Sequence, residues 1–552
     1  MSTPTKHFFE YFNQRIPENW NEPALTDFDG TTNYTYGEMA QKMAHLQLLL
    51  ENAGLSKGDK VVICSKNRAN WAVAFLAIAA NRGVIVSIMD AFVGKDIEKL
   101  VNHSDAKAMF ADEQVWEKID IKNTPSIDLV LSTEAFDLLY AKTAQQTKAY
   151  HSVEELFAEK YPNGYTQKDV NFPTDNLDDL MIINYTSGTT SDPKGVMLTY
   201  RNLSANVHYS QETIPNHAGW SEVCMLPLAH MFGLAIEFLY QVAGGCHVYF
   251  LSKTPSPSIL MKAFATAHPY MILTVPLVIE KIFKSKIFPI LNKPVVKVLW
   301  NTPGINKIIG KKIYDQLMAA FGGKLIYLIT GGAALNQEVE KVLKKINFPF
   351  CVGYGMTECG PLICYEHWQK FVLTSCGKVV DRNELKIDSE DPQHVVGEIL
   401  VKGEHVMTGY YKNEEATKEA LDEEGWLHTG DLGLMDKDGN LYIKGRSKAM
   451  ILGSNGQNIY PEELEDKINN QTAVVESVVV KRGSQLVALV FPDYKLEGRP
   501  ELGGKTLEET MQENLVKVNK QLPAYARISS IELVNEEFKK TPKRSIRRFL
   551  YK

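Results

Sequence analysis

The chain is short of the features that build disulfide scaffolds, membrane spans and strongly charged proteins. Its seven cysteines (Cys64, Cys224, Cys246, Cys351, Cys359, Cys364 and Cys376) are odd in number, scattered, and include no Cys-x-x-Cys pair. That excludes a disulfide framework and leaves no zinc signature, so a reducing cytoplasm is the expected setting. Long apolar runs are missing too. The most hydrophobic stretch, 225–245, is interrupted by His230, Glu237 and Gln241, and the first ten residues lack the apolar core of a signal peptide; no transmembrane helix is expected. Nor is there an excess of one charge. Sixty Lys and Arg oppose sixty-six Asp and Glu for a net charge of −6, so no global field recruits nucleic acid or an anionic membrane, and such a partner would need a local patch. Internal repeats and low-complexity segments are absent. What is present is ordinary globular composition, 44% hydrophobic over 552 residues, enough chain for several packing units around a deep site.

Patterning gives the fold class. A helical stretch at 39–53 is followed by the turn 55–59 and the β-rich run Lys60–Cys64; another helix near 71–80 leads into a strand at 84–88. Alternation of this kind predicts mostly parallel sheets covered by helices, an α/β fold. Further strands are expected at 108–111, 129–131, 181–185, 247–251, 324–330 and 350–353. Beyond about Glu384 the pattern changes to short strands and turns, read as a β-rich subdomain over about 384–446. A helix beginning at Pro461, strands at 474–481 and 486–491, and a helix near 507–521 then make an α+β unit of a size that folds alone. The expected boundary lies near Arg446–Lys448, giving domains 1–446 and 447–552.

Four segments carry chemistry. Tyr185-Thr-Ser-Gly-Thr-Thr-Ser-Asp-Pro-Lys-Gly-Val196 follows an apolar strand. Its small hydroxyl residues and glycines suit a loop that wraps an anion, and Lys194 adds positive charge. It is not a Walker A loop, because Gly188 and Gly195 have the wrong spacing and Lys194 precedes the second glycine. Gly353-Tyr-Gly-Met-Thr-Glu-Cys-Gly-Pro361 places an aromatic ring to stack on a base (Tyr354), a hydroxyl for a phosphate oxygen (Thr357) and a carboxylate suited to magnesium (Glu358) within five residues. Standing alone, Glu358 would equally cap a helix or pair with a lysine. In Trp426-Leu-His-Thr-Gly-Asp-Leu-Gly433, Asp431 sits in a glycine-flanked turn with its carboxylate directed at two hydroxyls or at its own backbone. Finally, 443–460, rich in Gly and polar residues, suits a joint or an ordinary linker.

In this order, these segments resemble the adenylate-forming superfamily of acyl-CoA synthetases, peptide-synthetase adenylation domains and luciferases, and are most similar to long-chain fatty-acid CoA ligases. The resemblance spans almost the whole chain. Residues 185–196 look like the family's phosphate loop, Leu226-Pro-Leu-Ala-His-Met-Phe-Gly233 its acyl-pocket motif, Gly331-Gly-Ala-Ala-Leu335 its adenine wall, and Thr429-Gly-Asp431 and Gly445-Arg-Ser-Lys448 its ribose and hinge motifs. It implies a large N-terminal domain of helix-covered sheets with a small mobile C-terminal lid. The implied reaction runs in two halves: a carboxylate attacks the α-phosphate of ATP with magnesium assisting, and a thiol, that of CoA, takes the acyl group. Thr186, Ser187, Gly188, Thr189, Thr190 and Lys194 would hold phosphates, Glu358 the metal, and Tyr354 with Gly332 and Ala333 the base. Asp431 and Arg446 would hold the ribose, and Lys448 would be the hinge.

One departure concerns the C-terminal lysine that bridges substrate carboxylate and α-phosphate in the family. Aligned on Thr541-Pro542, the usual position is Ser545; Lys543 or Arg544 would serve if the loop is shifted, and a merely solvated basic tail is the alternative. At the acyl motif His230 and Phe232 are expected to touch substrate. Phe232, Leu234, Ile236 and Phe238 either line a tunnel or pack as core. No counter-charge for an amino acid lies nearby, which favours an apolar carboxylate; the similarity of Gly409-Tyr-Tyr-Lys-Asn413 and Gly425-Trp-Leu-His-Thr-Gly-Asp431 to long-chain fatty-acid CoA ligases implies a long- or medium-chain fatty acid as substrate, with CoA as acceptor and no appended carrier domain. The rivals are transfer to acyl carrier protein, an aryl acid as substrate, and a non-catalytic sensor of nucleotide or acyl-adenylate. Lysines interleaved with apolar residues over 278–312 are either a peripheral membrane contact or a solvated surface helix pair. A nucleic-acid partner is not expected.

Overall fold

Helix Ala69–Ala80 shows how composition sets position: all twelve of its residues are buried, so it belongs inside the protein and not at its surface. Its one amide side chain, Asn70, is satisfied there by the Glu134 carbonyl at 2.7 Å and the Tyr34 hydroxyl at 2.8 Å. This is a computed structural model, and it describes residues 3–186, 193–253, 256–452, 457–483, 485–540 and 546–551. The chain divides into two compact units. One holds residues up to Thr186, Pro193–Glu384 and Val401–Leu427; the other holds Leu385–Leu400 and the chain from His428 onward.

The first unit is α/β, as its alternation predicts. An eight-stranded sheet runs in the order Gly409–Tyr410, Lys194–Thr199, Leu180–Thr186, Val84–Ser87, Lys60–Cys64, Ala108–Ala111, Leu129–Ser132, Leu138–Ala141. Its five central strands, from Leu180–Thr186 to Leu129–Ser132, are parallel. Val84–Ser87, Ala108–Ala111 and Leu129–Ser132 are buried at every residue, which is why they read as continuous apolar runs and not as alternation. Ser221–Cys224, His247–Phe250 and Pro23–Asp27 form a second parallel group, completed antiparallel by Asn33–Thr35. Met271–Thr274, Tyr327–Thr330 and Phe350–Val352 form a third. Leu234, Ile236 and Phe238 are buried, and Phe238 meets Phe75 and Phe250 edge-on at 6.1 and 6.2 Å; Phe238 is core. Motifs 225–233, 331–335 and 353–361 all begin where a parallel strand ends, and ligand crevices of α/β sheets open beyond those carboxyl ends.

In the second unit, Val474–Arg482 and Gln485–Pro492 form a hairpin, and Ser530–Leu533 lies parallel to its second strand. Helices Pro461–Asn469 and Leu507–Asn519 supply Leu464, Ile468, Met511 and Val518 to a core with Val479, Ala488 and Val490. The alternate side chains Val478, Val480, Val487 and Leu489 pack against Phe538 instead, as the two-residue period of a strand requires. Glu465 is buried in this unit; it accepts the Val479 N–H at 2.6 Å and pairs with Arg548 through both oxygens. A four-stranded sheet takes the order Asn383–Asp388, Gly397–Gly403, Leu427–Met435, Leu441–Arg446. This corrects one expectation. Asp431 lies within the nine-residue strand Leu427–Met435, not in a turn. The glycines around it mark irregularity in that strand: Gly430 has φ +70°, and the pairing register shifts between Leu432 and Gly433.

Candidate active site

The flanks of the Ser/Thr/Gly loop are the last pair of an antiparallel ladder, Thr186 opposite Lys194. Thr186 Oγ1 donates to the Lys194 carbonyl at 3.4 Å. Ser187, Gly188, Thr189 and Thr190 lie outside the described residues. On the far side of the same ladder Tyr410 pairs with Val196. The Lys194 ammonium stands 4.8 Å from the centre of the Tyr410 ring, and the Tyr410 hydroxyl donates to Glu358 Oε1 at 3.0 Å. A cation, a phenol and a carboxylate are thereby lined up next to the Thr186–Lys194 pair. Burial, reinforced by the neighbouring Glu358 charge, pushes the Tyr410 hydroxyl well above its usual pKa, so it stays a donor. Tyr410 went unassigned from sequence because its partner is 52 positions away and its own Gly-Tyr-Tyr context carries no chemical signal.

Glu358 sits in a short 3₁₀ turn, Thr357–Cys359, and two buried asparagines of helix Tyr200–Thr213 hold that turn in place. Asn206 donates to the carbonyls of Asn202 and Cys359 at 2.8 and 3.2 Å and accepts the Leu362 N–H at 2.9 Å. One turn earlier, Asn202 donates to the carbonyls of Glu404 and Val406, both at 2.8 Å. The Met407 N–H closes the link by donating to the Glu358 carbonyl at 2.8 Å. Positions i and i+4 share a helix face, so one helix following directly on the Lys194 strand fixes both the Glu358 turn and the approach to Tyr410. Gly355 is obligatory here, because a Cβ would stand 2.2 Å from the Pro361 carbonyl oxygen.

The remaining motifs of this unit meet at the strand ends. Gly331 accepts no side chain larger than hydrogen without pressing on Phe232, whose ring lies 3.2 Å from the position a Cβ would take. The acyl motif and the adenine-wall motif are therefore neighbours. Gly332 (φ +84°) and Ala333 are exposed, Tyr354 is buried, and His230 and Thr357 are half-buried. The loop leading to His230 is gripped from three directions: Asn184 donates to the Ala229 carbonyl at 2.8 Å, Asn67 donates to the Leu226 carbonyl at 2.7 Å and accepts the Leu228 N–H at 2.8 Å, and Glu237 accepts the Leu226 N–H at 2.9 Å. Glu237 is fully buried in a π-helical turn, Gly233–Leu239. Burial raises its pKa to about 8, against the opposing pull of the Leu226 N–H; it is predominantly protonated at neutral pH.

In the second unit, Asp431 and Arg446 are paired residues of adjacent strands, with Arg446 Nε 3.2 Å from Asp431 Oδ1. The Arg446 side chain is 65% exposed and that of Asp431 10%, so the guanidinium can reorient while the carboxylate stays fixed. Glu398, missed from sequence, accepts the Gly430 N–H at 2.9 Å and contacts His428 at 3.0 Å, and Thr429 Oγ1 accepts the Asp431 N–H at 3.1 Å. Lys448 is exposed in a 3₁₀ turn, Ser447–Ala449. Lys543 and Arg544 lie outside the described residues; on either side of them Lys540 pairs with Ile546. Among the described residues no group of three His, Cys, Asp or Glu side chains is placed to hold a metal. A lone carboxylate such as Glu358 still fits magnesium, which draws most of its ligands from phosphate and water.

With this geometry in view, the comparisons with known proteins are specific. Residues 12–411 match the AMP-binding enzyme family, and residues 448–551 match the C-terminal domain of AMP-binding enzymes. The chain belongs to the AMP-binding enzyme family. It is 29% identical over 504 residues to the long-chain-fatty-acid–CoA ligase FadD15 of Mycobacterium bovis, covering 86% of this chain and 80% of that protein. It is 28% identical over 497 residues to a long-chain-fatty-acid–CoA ligase of Escherichia coli, covering 85% and 82%. In fold it is similar to the anthranilate CoA ligase AuaEII in complex with anthranoyl-AMP, with a TM-score of 0.79, 18% identity, and coverage of 99% and 97%.

Proposed function

We propose that the protein is a fatty acid–CoA ligase that consumes ATP. The observation that carries this reading is the line Lys194–Tyr410–Glu358 that starts at the Thr186–Lys194 strand pair, set in a chain whose relatives are named long-chain-fatty-acid–CoA ligases over most of its length. A carboxylate oxygen of the fatty acid attacks the α-phosphorus of ATP, and pyrophosphate leaves. The CoA thiol, losing its proton, then attacks the acyl carbonyl, and AMP leaves.

In phosphoryl transfer the protein mainly positions groups and stabilises charge. Lys194 and Thr186, with Ser187, Gly188, Thr189 and Thr190, bind the phosphates, and Thr357 donates to a phosphate oxygen. Glu358 holds magnesium, which when bound neutralises charge on the phosphate oxygens. Tyr354 with Gly332 and Ala333 receives the base, and Asp431 with Arg446 the ribose. His230 and Phe232 meet the acyl group. We assign Lys543 to the bridge between carboxylate and α-phosphate, and Lys448 to the hinge of a C-terminal lid comprising 447–552. An apolar acid is favoured because Glu237, the buried carboxyl bonded to the acyl motif, is predominantly neutral at physiological pH and already engaged by Leu226 N–H.

The test is acid-dependent ATP–pyrophosphate exchange over a chain-length series that includes benzoate-type acids, followed by supply of CoA or a holo-carrier protein. Exchange with fatty acids and thioester formation with CoA are expected. No exchange with any carboxylic acid would establish the sensor reading instead, and thioester formed only on carrier protein would reassign the acceptor. Lys543→Ala is expected to slow exchange while leaving thioester formation from supplied acyl-adenylate intact; equal effects on both halves would move the bridging role elsewhere.

A further inference from the structure

Between strands Met271–Thr274 and Tyr327–Thr330 the chain runs through successive helical pieces, Pro276–Ile282, Phe283–Ile287, Phe288–Leu291, Pro294–Trp300 and Ile305–Ala320. Over residues 275–312 the sequence carries eight lysines and one acid, Glu280, although the whole chain has a net charge of −6. All of these lysines except Lys284 are exposed. Apolar side chains are exposed among them: Val295 at 70%, Val298 at 68% and Ile308 at 72%. Helix Pro294–Trp300, with the sequence Pro-Val-Val-Lys-Val-Leu-Trp, has no buried residue at all. A helix of that composition has no reason to form on a water-facing surface unless something covers it.

We propose that this surface, centred on helix Pro294–Trp300 and the start of helix Ile305–Ala320, docks the protein onto an anionic lipid bilayer. Lysines that attract lipid phosphates, interleaved with valines and isoleucines that enter the acyl boundary, are the recognition chemistry of an interfacial helix. The apolar component argues against nucleic acid, whose backbone recognition is electrostatic. The charge argues against a second copy of the chain, since a two-fold contact sets like patch against like patch. Contact of this kind would deliver a membrane-partitioned acid to the site proposed above, but docking itself does not depend on that reading.

The experiment is vesicle flotation of the full-length protein with phosphatidylcholine alone or mixed with phosphatidylglycerol, at low and high salt. Flotation is expected with the anionic vesicles only, weakening with salt over the Debye range. The double substitution Lys293→Gln/Lys297→Gln is expected to lower partitioning by roughly five-fold per lysine, about 25-fold in all. Val295→Ser/Val298→Ser is expected to weaken it as well, while both variants keep their exchange activity toward a short, soluble acid. Equal flotation on neutral vesicles, or none on either, overturns the proposal. So does a wild-type dimer that the valine variant converts to monomer, or capture by an acidic polypeptide without capture by vesicles. None of these results bears on exchange activity, so docking and ligase chemistry fail separately.

Discussion

Asn206→Ala is the sharpest probe of how the site is assembled, because Asn206 touches no proposed substrate and yet fixes both sides of the Glu358 turn. Its amide makes three hydrogen bonds at zero exposure, and removing it strands the Leu362 N–H and the Cys359 carbonyl. A buried polar group left unpaired costs about 1–3 kcal/mol, so the two together cost about 4 kcal/mol. Unfolding entropy near 2.1 cal/mol/K per residue gives a unit of roughly 400 residues about 0.8 kcal/mol/K, and the melting temperature should fall by about 5 °C. The catalytic effect should be larger in proportion. If half of that energy is spent holding Glu358 against Tyr410, the turn is displaced often enough to lower kcat/KM for ATP by roughly 30-fold, at 1.4 kcal/mol per decade. KM for the acid should change little, since the acyl motif is gripped by Asn67, Asn184 and Glu237 and not by Asn206. The assays are ATP–pyrophosphate exchange with each substrate varied, and thermal melts followed by near-UV circular dichroism. Exchange within three-fold of wild type, or a loss shared equally between ATP and the acid, would refute the latch.

Three other outcomes follow from the same geometry. Tyr410→Phe deletes one hydrogen bond to a carboxylate, worth about 1.5–3 kcal/mol; a melting temperature lower by about 2–4 °C and a kcat lower by roughly 10- to 100-fold are expected, and activity equal to wild type at limiting magnesium would remove Tyr410 from the site. Glu237, with a folded pKa raised to about 8 against 4.5 when unfolded, binds its proton more tightly in the folded state. Its contribution is therefore intact below about pH 4.5 and is lost as pH rises through about 8, at about 1.4 kcal/mol per unit. Glu237→Gln should accordingly be relatively more stable at pH 8.5 than at pH 6, and parallel melting curves for variant and wild type across that range would contradict the assignment. Arg548→Met leaves Glu465 buried without its partner, at a cost of about 3 kcal/mol or more. Early proteolysis within 447–552 is expected, with partial recovery on adding Glu465→Gln, and resistance equal to wild type would show that the pair is dispensable.

Local order in the sequence determined a great deal. The alternation of helix and apolar run yields the parallel sheets, because strands buried on both faces must be apolar throughout. The loop flanked by Thr186 and Lys194, the Tyr354–Glu358 segment and the Thr429–Asp431 segment were legible because glycine, hydroxyl and charge stand within a few residues of one another. The strand around Asp431 was not. Gly430 and Gly433 signal a turn by composition, and only pairing with Leu441–Arg446 makes them irregularities in a strand. Tertiary structure alone decided which groups meet. Asn206 reaches Leu362 across 156 positions, Asn184 reaches Ala229 across 45, and Tyr410 reaches Glu358 across 52. An asparagine or tyrosine is chemically mute until burial removes water as its partner, and burial is a property of the packed chain and not of the residues beside it.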